Sequence, residues 1–218
     1  PNVVRLIDHG PLEDARPFLV MEYIAGETLA DHLDRSPRLD LETALGLARQ
    51  LLAGLAAAHA QGVIHRDLKP ANIVVAGSLV DDHDALKILD FGVARMLDIA
   101  GEDSEQRLTA TGTMLGSPRY MPLEVARGAP DVDARADIFE AGAVLYDALT
   151  GHPPFPAGAI GVVIKAIINH DIAPLAQERP DLPSALVEVL ERALAPTPEA
   201  RWQSAQAMAQ ALEQAFPR

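Results

Sequence analysis

Residues 63–75 read VIHRDLKPANIVV, a polar island of His65, Arg66, Asp67, Lys69 and Asn72 between two apolar runs. The β-branched run Ile73-Val74-Val75 reads as a short buried strand, and Val63-Ile64 as the apolar approach to a loop. The five polar residues therefore sit on a loop held at both ends, which is where a scaffold usually carries chemistry. Each of them taken alone also reads as part of a charged, solvated turn.

Upstream, Leu41, Leu45, Ala48, Leu52, Leu55 and His59 recur at helical spacing, with Gly62 just beyond as a stop signal. A long, largely buried helix is expected to deliver the chain into the His65 loop. Residues 3–8 and 18–23 read as two strands of a hairpin joined by the turn-rich HGPLEDARP. Downstream, LKIL at 86–89 reads as a strand pairing with 73–75, with Asp90-Phe91-Gly92 at its exit. Residues 98–118 lack periodicity and are rich in Gly, Ser and Thr, so a long functional loop is expected. The last half reads as helical. A central helix over 133–149 carries Ile138, Ala141, Leu145 and Leu149 on one stripe and ends in TGHPPF. Further helices are expected around 158–169, 184–195 and 203–215.

The 218 residues are 49% hydrophobic, enough to bury a real core. The net charge of −13, with its acidic residues scattered, argues against a nucleic-acid partner held through phosphates. There is no Cys, so disulfides and cysteinyl metal sites are excluded, in agreement with a cytoplasmic domain. No apolar run approaches the ~18 residues of a membrane span.

In order along the chain, HRDLKPAN (65–72), LDFG (89–92), GSPRYMPLE (116–124), DARADIFEAGAVLYDALTGHPPF (133–155) and Arg201 resemble the motifs of the eukaryotic-type (Hanks-type) protein kinases, in the flavour of the bacterial serine/threonine kinases. The resemblance covers nearly the whole chain. It implies an α+β, protein kinase-like fold, mainly the α-helical C-terminal lobe with the last two strands of the N-terminal lobe. Residues 1–22 would be the remnant of the N-lobe and the approach to the hinge. Residues 23–218 would be the C-lobe, with a catalytic loop at 63–75 and an activation segment at 90–124.

The implied activity is transfer of the γ-phosphoryl of Mg-ATP to Ser or Thr hydroxyls of proteins. Asp67 would accept or orient the hydroxyl proton, Lys69 would reach the γ-phosphate, and Asn72 and Asp90 would hold Mg2+, a hard cation suited to oxygen ligands. Read singly, Asp67 is a turn carboxylate, Asn72 a cap and Asp90-Phe91-Gly92 a hairpin exit. Met21, Glu22, Tyr23 and Ile24 resemble the gatekeeper and hinge, where backbone groups of Glu22 and Ile24 would meet the adenine edge. Arg66 would receive a phosphorylated residue of the activation segment. Thr109 and Thr111 are the candidate sites for that phosphate, ahead of Thr113. Ser117 would touch both the catalytic Asp and Lys. His65 would be a structural histidine packed beneath the loop. Asp137 would accept hydrogen bonds from the His65-Arg66 backbone, and Glu124 would pair with Arg201.

The chain departs from the family pattern in three places. Its first Lys is Lys69 and it contains no Gly-x-Gly-x-x-Gly. The phosphate-covering loop, the ATP-anchoring Lys and its partner Glu are thus absent, so the chain reads as a kinase truncated before the glycine-rich loop. As an isolated piece it is expected to be weakly active or inactive. A dimer through the absent N-lobe and a membrane anchor outside the chain stay open. Second, Leu123 stands where the pattern has Pro, with Pro122 displaced by one. Third, Glu140 stands where a small Ser is common, and is expected to be tolerated on a helix face. The competing classes are a pseudokinase or docking scaffold and a small-molecule phosphotransferase of the aminoglycoside type, the latter not expected to carry HRDLKPAN, DFG and the loop to Glu124.

Overall fold

The computed structural model describes residues 1–11, 17–82, 84–91 and 118–217. Strands β1 (Leu6–Pro11) and β2 (Pro17–Met21) form an antiparallel hairpin. A second antiparallel sheet has the order β3 (Glu27–Thr28), β4 (Ile73–Val75), β5 (Leu86–Ile88). The expected strand at 3–8 is thus divided. Residues 2–4 lie against β5, with Val4 N–H donating to Ile88 C=O and Ile88 N–H to Asn2 C=O, and only from Leu6 does the chain pair with β2. The strand also runs on through His9-Gly10-Pro11, which the sequence assigns to the turn.

Helix α1 (Leu29–Arg35) opens on a capping box, Thr28 accepting from the Asp31 N–H while Asp31 accepts from the Thr28 N–H. Helix α2 (Leu41–His59) is capped by Asp40, which accepts the Thr43 N–H at 2.9 Å. Its buried face is wide enough to include Ala44, Leu47, Gln50 and Leu51 beside the spaced leucines. Gly46 lies on that face, where the backbone at Leu79 comes so close that a Cβ would stand 2.1 Å from the Leu79 carbonyl oxygen.

Short helix α3 (Leu123–Ala126) begins just after Pro122, whose φ of −75° is that of an unstrained proline and whose C=O accepts the Ala126 N–H. The helix therefore forms with Leu123 in the first position, where no N–H partner is required. Helix α4 (Arg135–Thr150) is the axis of the molecule. Every residue from Ala136 to Thr150 is buried, so the expected single stripe understates a helix enclosed all round. It ends at Gly151, whose φ of 86° is the left-handed stop that glycine adopts freely. Helices α5 (Ile160–Asn169), α6 (Leu175–Glu178), α7 (Ser184–Ala193) and α8 (Ala205–Ala215) complete the helical body. One hydrophobic core runs from Leu29 and Leu33 through α2, the β4–β5 sheet and α4 to Met208 and Leu212. Trp202 closes its edge, its indole N–H donating to Val189 C=O and its ring lying 4.0 Å beneath the Arg192 guanidinium.

Candidate active site

The loop between α2 and β4 is fastened to α4. Asp137, in the first turn of α4 and fully buried, accepts the N–H of His65 on Oδ2 and of Arg66 on Oδ1, both at 2.8 Å. His59, at the end of α2, donates from Nε2 to the same Oδ2 at 2.7 Å. Arg66 has a φ of 67°, a left-handed conformation rare for a non-glycine residue, and the bond to Asp137 holds it there.

His65 is buried beneath the loop. The Asp67 N–H donates to its Nδ1 at 3.2 Å, so Nε2 carries the proton and donates to Leu89 C=O at 2.8 Å. Burial pushes the imidazole below its ordinary pKa, against the nearby charge of Asp137, and the neutral ring agrees with this bonding. The edge of the ring meets Phe91 at a centroid distance of 4.8 Å, which ties the loop to the exit of β5.

Three polar side chains converge beyond this anchor. Lys69 Nζ lies 2.6 Å from Asp67 Oδ2, and Asn72 Nδ2 donates to Asp67 C=O at 2.8 Å and to Oδ2 at 3.4 Å. Asn72 is itself buried, in the turn where Pro70 leads into β4. With its amide nitrogen so engaged, its carbonyl oxygen is the end left for another group. Ile73 pairs with Ile88 and the Leu89 N–H donates to Asn72 C=O, so β4 and β5 bring Asn72 beside the start of the Leu89-Asp90 exit. Asp90 is exposed, with a φ of 57°, and its carboxylate makes no bond among the described residues. An amide oxygen and a free carboxylate fit an oxygen-seeking divalent cation.

At the other end of the chain's first sheet, Glu22 pairs with Arg5. Its N–H donates to Arg5 C=O at 3.0 Å, and its carboxylate accepts the Arg5 N–H at 2.9 Å. That N–H, and then Lys87, hold the Glu22 carboxyl below its ordinary pKa. The Glu22 C=O and the Ile24 N–H take no bond among the described residues, and Tyr23 between them is exposed.

Below the site, Arg201 is fully buried and satisfies all five of its N–H donors. Two go to Glu124, at 2.5 and 3.1 Å, and the others to Ala195, Arg135 and Pro196 carbonyls. The guanidinium also lies 4.9 Å from the Phe139 ring centroid. Thr109, Thr111, Thr113, Ser117 and Gly92 lie outside the described residues.

One expectation is corrected. Glu140 does not sit on a tolerant helix face. It is 2% exposed and its Oε2 accepts the Leu68 N–H at 2.8 Å. Three other anchoring contacts went unread in the sequence: His59 on Asp137, the Tyr120 O–H donating to Asp147 at 2.6 Å, and Gln50, which joins Leu79, Asp82 and Leu86 around its buried amide. The signal for Glu140 and Asp147 was their charge among the apolar residues Ile138, Phe139, Ala141, Val144, Leu145 and Ala148 of one helix.

A small sheet laid on a helical body, with an Asp-centred loop anchored to one enclosed helix, defines a protein kinase-like fold. The chain belongs to the protein kinase domain family, whose model matches residues 1–214. It is 38% identical over 210 residues to serine/threonine-protein kinase pkn3 of Myxococcus xanthus, and 35% identical over 211 residues to serine/threonine-protein kinase PknB of Mycobacterium tuberculosis. Each match covers 95% of this chain, which spans only 38% and 32% of those relatives. A crystal structure of Rad53 residues 1–466 in complex with AMP-PNP has the same fold, with a TM-score of 0.76 at 24% identity over 97% of this chain and 50% of that one. Among the described residues no helix is long and apolar enough to cross a membrane.

Proposed function

We propose that this chain is the catalytic C-lobe, with part of the N-lobe in residues 1–22, of a protein serine/threonine kinase that transfers the γ-phosphoryl of ATP to Ser or Thr hydroxyls of proteins. The observation that carries the reading is the convergence of Lys69 and Asn72 on the Asp67 carboxylate, on a loop whose backbone is fixed to a buried helix. Phosphoryl transfer asks mostly for positioning and charge stabilisation, and this arrangement supplies both. Asp67 orients the acceptor hydroxyl and takes its proton. Lys69, already beside Asp67, stabilises the charge on the γ-phosphoryl oxygens. Asn72 and Asp90 hold Mg2+, which screens the phosphates when bound. The Glu22 C=O and Ile24 N–H meet the adenine edge. Arg66 receives a phosphate carried by the activation segment. Family membership, the names of the relatives and the nucleotide analogue bound by the Rad53 neighbour support the reading.

The test is phosphate transfer from labelled ATP to Ser- and Thr-containing peptides by the complete protein the gene encodes, beside its Asp67→Asn variant. The expected loss is about 100-fold or more, with the melting temperature kept. Equal transfer by the variant would overturn the assignment of Asp67, and no transfer by the parent would overturn the kinase reading.

A further inference from the structure

Asp137 accounts for only one side of the loop. The N–H groups of residues 65–68 are all engaged: His65 and Arg66 with Asp137, Asp67 with His65 Nδ1, and Leu68 with Glu140. Glu140 stands one turn beyond Asp137 on α4, and among the described residues the Leu68 N–H is its hydrogen-bond partner. A buried carboxyl without a cationic partner among the described residues is costly, and Glu140 lies in a helix buried from Ala136 to Thr150. Burial, and then the charge of Asp137, push Glu140 well above the ordinary carboxylate pKa. A protonated carboxyl still accepts the Leu68 N–H through its carbonyl oxygen and leaves no uncompensated charge in the core.

We propose that Glu140 is a positioning residue for Asp67: it clamps the far side of the loop to α4 through Leu68, as Asp137 clamps the near side through His65 and Arg66. Asp67 is thereby mounted at two points on one rigid helix. A Ser at position 140 is too short to reach the Leu68 amide from the same backbone, so the reach of the Glu140 side chain is what makes this second fastening. The inference rests on the reading of Asp67 as the residue that orients the acceptor hydroxyl, since displacement of such a group by ~1 Å lowers the rate about 100-fold.

The experiment compares Glu140→Met, which keeps the volume and removes the acceptor, with Glu140→Gln, which keeps an acceptor oxygen, in the complete protein. Expected for Glu140→Met is a fall in kcat of about tenfold, with KM for ATP within about twofold and the Leu68 amide exchanging its hydrogen about tenfold faster. Amides in the middle of α2 keep the parental exchange rate. Glu140→Gln recovers kcat and Leu68 protection to within about threefold of the parent. If Glu140→Met does not fold, Glu140→Ala takes its place. Parental kcat and parental Leu68 protection in the acceptor-free variant would overturn the inference, and so would a Glu140→Gln variant as impaired as Glu140→Met. A parent without phosphate transfer would overturn the kinase reading instead, and the Leu68 exchange rate would still decide the clamp.

Discussion

The Asp137 carboxylate and the His65 backbone are 72 residues apart in the chain and 2.8 Å apart in the structure. Together with the Arg66 and His59 bonds, this makes one buried carboxylate the common partner of α2 and the loop that follows it. Asp137→Ala leaves the His65 and Arg66 amides without acceptors. Each unsatisfied buried donor costs about 1–3 kcal/mol, so a loss of roughly 3 kcal/mol or more is expected in urea unfolding. Phosphate transfer measured below the unfolding transition falls as well, because Arg66 is no longer held at its positive φ.

Removing Glu124 strands a buried guanidinium. Glu124→Ala is expected to cost about 3–5 kcal/mol, read from the shift in the denaturant midpoint at an unchanged slope. A loss below about 1 kcal/mol would place this pair with ordinary surface ion pairs.

Glu140 links stability to pH. Its carboxyl is held above the ordinary value of 4.5 by burial, by Asp137 on its own helix, and by Asp67 of the loop and Glu124 of α3. The unfolded chain releases this proton first as pH rises through 4.5, so the folded state then binds more protons and stability from this group falls until the folded carboxyl also titrates. Glu140→Gln removes the dependence. Urea midpoints of the two proteins should draw apart in favour of the variant as pH rises above the ordinary value of 4.5, and a difference that stays constant with pH would contradict the assignment.

Gly46 tests a close approach of backbone to backbone. A methyl group there would stand 2.1 Å from the Leu79 carbonyl oxygen, so α2 and the residues around Leu79 must move apart. Gly46→Ala is expected to destabilise by about 1–3 kcal/mol despite the better helix propensity of alanine, as measured by thermal or urea unfolding.

The helices over 41–59 and 184–193 and the β4–β5 hairpin were legible because their signals are local: a periodic apolar face, a cap, a β-branched run. Asp67, Lys69 and Asn72, which meet in space, stand together in one short motif of the sequence. What escaped was non-local. The division of 3–8 depends on β5, more than 80 residues away, offering its edge to residues 2–4. Strand β3 is two residues long, too short for any period to show. Glu140 reads as a surface charge until the Leu68 amide, 72 residues distant, is found to need it. The wholly enclosed α4 defeats a search for one apolar stripe for the opposite reason, since its polar residues are buried too and each has a partner.

The five satisfied donors of Arg201 constrain how this chain can drift. Lysine offers three N–H groups from a single nitrogen and cannot reach two Glu124 oxygens and three carbonyls at once, so the usual one-step exchange of basic residues is closed at position 201. A lineage that alters either residue first passes through an ancestor with an unpaired charge in its core. Positions 124 and 201 are therefore physically coupled, since a change at either one alone leaves the other without its charged partner.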